Sequence, residues 1–384
     1  MHAVADTTAL VADGVITEDQ ARELERRGRS VMVRLAVNSI LVAGILAATG
    51  GLIAWLADAL AVAAAGVAAL GIGWALGRGG ASMVSRAATL IGAGLLIGGG
   101  TVELLTNYPT WAGPVLLLGG AAVAAGVLWA GRPGFVPGAL LLLGGAAHLM
   151  GLAQIIDLAG ITGIPLARAW LYATAAIAAA GWWTDVRLVT ALAIVPFAQM
   201  LETGTFYWRA TYSFFSPETT LSILQMALAI GLCIWLARRS DARGQRHLGM
   251  FALMAFIVAN LCALVGSLWG DVVGESLWGP GRIPDVSLGD DFEAQAAARE
   301  DFLAQALVIS AEVYAVLWAV ALAALIIWTA ATARRGLFNA AMTFAAIHAY
   351  TQLFESFGHQ ALAYVIGGLA AIPLAWGLWR ANQW

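Results

Sequence analysis

Three stretches of this chain pair a glutamine with an acid three residues further on: Gln154 with Asp157 in LAQIID, Gln199 with Glu202 in FAQMLE, and Gln352 with Glu355 in YTQLFE. On a helix that step places both side chains on one face. An amide beside a carboxylate supplies donors and acceptors together. Several such faces at one depth would bind a cation or a proton, or hydrogen-bond a polar head group. The third stretch is the richest, because His348, Gln352, Glu355 and His359 follow one another at steps of four, three and four. All three lie in apolar surroundings, where polar groups are costly and usually face protein or a water-filled cavity. A structural reading competes with the chemical one: glutamines between helices act as glue, and acids near the ends of membrane spans reach water. Glu103–Thr106 and Asn260 are looser matches to the pattern.

The elements that must position these residues are membrane helices. The chain has 384 residues, of which 61% are apolar and 11% charged, against roughly a quarter charged in a soluble protein. Apolar runs are expected to span the bilayer near 35–57, 59–77, 84–106, 111–130, 135–156, 163–182, 187–206, 219–237, 247–269, 302–330, 336–356 and 360–379. The fold class expected is therefore all-α and polytopic, with about twelve spans arranged as repeated helical hairpins. Odd-numbered spans carry the glutamine–acid pairs, so these lie at similar depth. Glycines in the runs, among them Gly92, Gly99, Gly100, Gly119, Gly120, Gly144, Gly145, Gly367 and Gly368, allow close helix contact. Pro196 should bend the seventh span just before Gln199.

Basic residues orient the spans. All 20 are arginines, and with the N-terminus inside the cell 16 fall on the cytoplasmic side and only Arg168, Arg209, Arg282 and Arg299 on the other. The positive-inside rule then predicts twelve spans with both termini on the cytoplasmic side. The first apolar run is long enough to span, and no cleavable leader is expected.

Four regions are expected: a cytoplasmic lead-in over 1–33, about nine membrane helices over 34–270, an acidic external loop over 271–301, and about three helices over 302–384. In the lead-in, Gly14 offers a helix stop, and Thr17 with Gln20 a capping box. The loop carries eight acids and two prolines, with a short helix predicted over Asp291–Arg299. It is read as a solvated surface or a substrate lid. The aromatic stretch between Arg209 and Glu218 reads as an interfacial anchor.

No nucleophile elbow, phosphate-binding loop or metal-ligand cluster is present, so no catalytic residue, metal or cofactor is expected. Cys233 and Cys262 read as small buried hydrophobes. The net charge of −3 gives no reason for a nucleic-acid partner. The expected partners are the bilayer and a second membrane protein or further copies of the chain. The residues expected to line a ligand or ion site are Gln154, Asp157, Arg168, Gln199, Glu202, His348, Gln352 and Glu355, with Arg168 as counter-charge. His148 and His348 read as hydrogen-bonded interior histidines more readily than as ligands.

Three segments carry a resemblance to a family. DGVITEDQARELERRG (13–28), AAHLMGLAQIIDLAG (146–160) and YTQLFESFGHQALAYVIGGLAAIPLAWGLWR (350–380) resemble segments of a bacterial family of multi-span membrane proteins of unknown function. The resemblance implies residence in the cytoplasmic membrane and carries no activity with it. The acidic loop over 271–301 departs from the family pattern. Three functions remain in view: a transporter or carrier with an outward-facing polar cavity, a membrane scaffold or accessory subunit of an envelope complex, and a lipid-acting membrane enzyme.

Overall fold

A computed structural model describes residues 7–29, 47, 51, 58–78, 82–131, 134–208, 211–280, 292–332, 334–357, 365, 369 and 376. The expected spans over 35–57 and 360–379 lie almost wholly outside these residues, as do His359, Gly367 and Gly368. The chain divides into two compact units. Unit 1 comprises Met1–Ala169 and Ala176–Val186, and unit 2 comprises Trp170–Ala175 and Arg187–Trp384.

Unit 1 begins with α1 (Thr7–Ala12) and α2 (18–29). Gly14 takes φ +71° between them, and the Leu10 carbonyl accepts from the Val15 and Ile16 amides. Thr17 and Gln20 exchange the two hydrogen bonds of a capping box, at 2.9 and 3.3 Å. Further along α2, hydrogen bonds from Arg27 and then Arg26 hold the Glu23 carboxyl below the usual carboxylate range.

Four long apolar helices follow: α3 (Ala59–Arg78), α4 (Ser82–Asn107), α5 (Pro109–Ala130) and α6 (Phe135–Leu158). They pack as two hairpins, α3 with α4 and α5 with α6. Each helix carries two glycines seven residues apart: Gly66 and Gly73, Gly92 and Gly99, Gly113 and Gly120, Gly144 and Gly151. Seven residues are close to two turns, so each pair forms one stripe. A Cβ at Gly66, Gly92, Gly99, Gly120 or Gly151 would strike the partner's backbone. In three described runs of adjacent glycines one member faces the partner helix and its neighbour does not. Gly99, Gly120 and Gly144 meet their partners, while Gly100, Gly119 and Gly145 have open space. The His148 ring spans the second hairpin, with Nδ1 donating to the Leu117 carbonyl at 2.8 Å. Helix α7 (Gly163–Thr184) contributes to both units.

Unit 2 holds α8 (Arg187–Leu192), α9 (Ile194–Gln199), a hairpin of β1 (Gly204–Trp208) and β2 (Thr211–Phe215), α10 (Thr219–Ala237) and α11 (Ala242–Trp269). It continues with β3 (Asp271–Val272), α12 (Phe292–Leu303), β4 (Val308–Ile309), α13 (Ala311–Ala331) and α14 (Arg335–Phe357). Both strand pairs are antiparallel, with Gly204 opposite Phe215 and Asp271 opposite Ile309. Ile194, Ala198, Met226, Ala229, Ala255, Val258 and Cys262 form one apolar cluster, and Ala263, Trp318, Leu322 and Phe344 a second. Tyr314, Trp318, Leu322 and Thr329 mark the buried stripe of α13, while Val316, Leu317, Val320 and Ile327 on its other faces are exposed. A helix apolar on every face suits a lipid surround.

Eight described helices are long and apolar enough to cross a membrane: α3 to α7, α10, α11 and α13. The expectation of about twelve spans is thus shown only as eight. The helical class holds, and two small two-stranded sheets add to it among the described residues. The span expected over 187–206 is broken. Pro196 lacks the N–H that would bond Leu192, and the helix interrupts at Ala193, whose own N–H reaches Thr190 O at 3.2 Å. The span expected over 302–330 begins only at Ala311, because its first residues close α12 and pair β4 with β3.

Two outcomes test these features. Gly120→Leu should destabilise the purified chain by about 1–3 kcal/mol or more through overpacking, while Gly119→Leu leaves the melting curve within about 0.5 kcal/mol. The depressed Glu23 value adds stability that is present above its unfolded value and disappears as pH falls through the folded one. A spin label at residue 24 should therefore gain mobility as the pH falls below the ordinary glutamate range, and Glu23→Gln should abolish that acid step.

Candidate functional site

The most polar buried region of unit 2 forms where α10 begins and α11 ends. Glu218 precedes α10, the position of an N-cap, yet its carboxylate does not cap its own helix. Oε2 accepts from the Gly274 amide at 2.7 Å and Oε1 from the Ser276 amide at 2.6 Å. These amides belong to the turn 273–279, where Gly274 adopts φ +84° and its carbonyl accepts from Leu277, Trp278 and Gly279. In return, Asp271, just past α11, supplies the cap that α10 lacks. Its Oδ2 accepts from the Thr220 amide at 2.8 Å and from the Thr220 hydroxyl at 2.6 Å. The two segments thus exchange caps across more than fifty residues. The Tyr314 hydroxyl, from the first turn of α13, donates to Thr220 Oγ1 at 2.5 Å and lies 3.5 Å from Asp271 Oδ2.

Around this exchange lies a shell of small hydroxyls. Thr203 Oγ1 is 3.2 Å from Ser216 Oγ and 2.5 Å from Ser222 Oγ, and Ser216 donates to Ser222 at 3.1 Å. Ser216 and Ser222 also reach the Cys262 thiol. A third acid, Glu275, pairs with Arg299 of α12 at 2.7 Å. Glu218 and Glu275 are fully buried and Asp271 is 2% exposed. An isolated buried carboxylate would cost several kcal/mol, and charge-assisted bonds to N–H, O–H and guanidinium groups offset that cost. The chemistry available is rigid bracing by buried carboxyl groups that accept hydrogen bonds. No described group of three or more His, Cys, Asp and Glu residues is placed to hold a metal ion.

The residues expected to line a site are distributed differently. In unit 1, Gln154 is half-buried on α6, while Asp157 and Arg168 are exposed. In unit 2, α9 ends at Gln199, and Glu202 follows in a turn with φ +58°, its amide donating to the Gln199 carbonyl at 3.1 Å. The pair therefore does not form one helical face, and Glu202 is exposed. The Gln199 amide instead packs on Gly204, where a Cβ would lie 2.5 Å from Nε2. Gln352 is half-buried and reaches the Ser267 carbonyl of α11 at 3.4 Å, whereas Glu355 is exposed. The His348 ring stacks edge-on against Trp318, with centroids 4.6 Å apart, and Trp318 donates to Asn260 Oδ1 at 2.9 Å. Asn260 and Gln352 thus join helices to one another.

Glu218, Asp271 and Glu275 were not among the expected site residues. The local signals were slight: an acid one residue before an apolar run in ETT, and an acid just after one in GDV. No family model, curated protein or solved structure matches the chain.

Glu218→Ala should leave two buried amides without acceptors and cost about 2–5 kcal/mol, whereas Glu218→Gln, which keeps one acceptor oxygen, should lose less. Denaturant unfolding of the detergent-solubilised chain measures both. Equal, negligible losses would contradict the bracing role.

Proposed function

We propose that this chain is a multi-pass protein of the bacterial cytoplasmic membrane that acts as a scaffold or accessory subunit and presents a rigid cap to a partner outside the lipid. The cap comprises the β1–β2 hairpin, the 271–280 turn, α12 and β4. The observation carrying this reading is the cap exchange between Glu218 and Asp271. Buried acids in membrane proteins ordinarily mark function, and here they hold extramembrane segments in place. The arginine distribution supports an external face for the cap. The bacterial membrane family that three segments resemble fits the same location.

The carrier reading keeps one specific support. Helices α8 and α9 form a discontinuous segment packed on α11, and carriers build binding sites at such breaks. Gln225 Nε2 donates to the Phe197 carbonyl near that break at 2.7 Å, a carbonyl that also accepts from the Met200 amide at 3.4 Å.

The two readings separate in one comparison. Purified from native membranes, the wild-type chain should carry a stoichiometric second protein, and Arg299→Glu, which sets like charges against Glu275, should lose it while inserting normally. A chain that purifies alone, and whose proteoliposomes take up a solute only with Asp271 intact, would overturn the scaffold reading.

A further inference from the structure

Between the 271–280 turn and α12 lies a recess of about 420 Å³, lined by Val273, Trp278, Asp301, Phe302, Gln305 and Leu307 among others. That volume falls within the usual range for small-molecule sites, roughly 300–1,000 Å³. Its two aromatic rings are set by glycines. A Cβ at Gly274 would collide with the Trp278 indole, and one at Gly279 would lie 2.9 Å from the Phe302 ring. The braces described above fix the same segments, because Glu218 holds the Gly274 and Ser276 amides and Glu275 ties α12 through Arg299.

We propose that this recess binds a small organic ammonium cation from the aqueous phase, with Trp278 and Phe302 offering ring faces and Asp301 the counter-charge. The inference rests on the cap being the functional face. Its chemistry follows from the lining. Aromatic faces attract cations through their quadrupoles, and among the described residues that line the recess Asp301 carries the one charge and none is basic. Trp278 is 64% exposed, so a ligand can reach it. The polar sequence of α12, FEAQAAAREDFL, places the recess beside water and not in lipid. A bulky alkylammonium suits it better than an inorganic ion, because Val273 and Leu307 present only carbon.

The test is calorimetric titration of the full-length chain, in an uncharged detergent, with choline and with its neutral carbon isostere 3,3-dimethylbutan-1-ol. Choline should bind at least about tenfold more tightly than the isostere. Trp278→Ala should weaken choline by about tenfold or more, and Asp301→Asn by several-fold with loss of salt dependence. Should Trp278→Ala lower the melting temperature, Asp301→Asn, a change at an exposed rim residue, carries the comparison. Equal binding of choline and the isostere, or choline binding unchanged in both variants, would overturn the proposal. No choline binding, with the destabilisation of Glu218→Ala intact, would overturn the cation site and leave the cap standing. Loss of both effects would overturn the cap as well.

Discussion

A carboxylate removed from water must find its donors on the protein, and Glu218 finds them on the backbone of a turn more than fifty residues away. Two amides, from Gly274 and Ser276, close on its two oxygens. Asp271 answers by taking the free amide and hydroxyl of Thr220 at the start of α10. A helix N-terminus has donors to fill and a positive end to neutralise, a deficit that Asp271 meets for α10, while Glu218 meets the amides of a turn that has no ladder partner for them. Once these bonds form, the ends of α10 and α11 are locked together. Tyr314 joins α13 to the same point, and the 271–280 turn acquires a fixed shape on which α12 can dock through Arg299.

Unit 1 is organised by a different constraint. Its two hairpins bury glycines and alanines along with Val62, Leu90, Leu95, Leu116 and Leu141, and their helices approach until backbone touches backbone. That requires the absence of side chains along one stripe, which the seven-residue glycine spacing provides. In lipid, where apolar burial adds little to helix association, such close van der Waals contact becomes the main attraction. Unit 2 uses side-chain hydrogen bonds where unit 1 uses glycine. Asn260 with Trp318, and Gln352 with Ser267, join α11, α13 and α14.

Much of the helical framework was legible in the sequence. Composition and hydropathy located α3 to α7, α10 and α11 to within a few residues, because a bilayer demands continuous apolar runs. Pro196 announced a bend in the 187–206 span, which the structure shows as a break between α8 and α9. The doublets Gly119–Gly120 and Gly144–Gly145 announced close packing, although which member faces the partner depends on the rotation of each helix. The polar centre was much less legible. A step of three predicts a shared face only while the helix continues, and α9 stops at Gln199, which turns Glu202 away. The acids that matter, Glu218 and Asp271, sit at helix ends and serve each other's segments. Reciprocal caps at that separation leave no local pattern, since each acid resembles an ordinary interfacial residue until the fold brings the two together.

Amide hydrogen exchange of the full-length chain in micelles or nanodiscs tests the crossed caps most directly. If Glu218 and Asp271 brace the cap, the amides of Thr220, Gly274 and Ser276 exchange slowly, with protection approaching that of the α10 and α11 interiors. Rapid exchange at Gly274 and Ser276, at rates like those of an open loop, would contradict it.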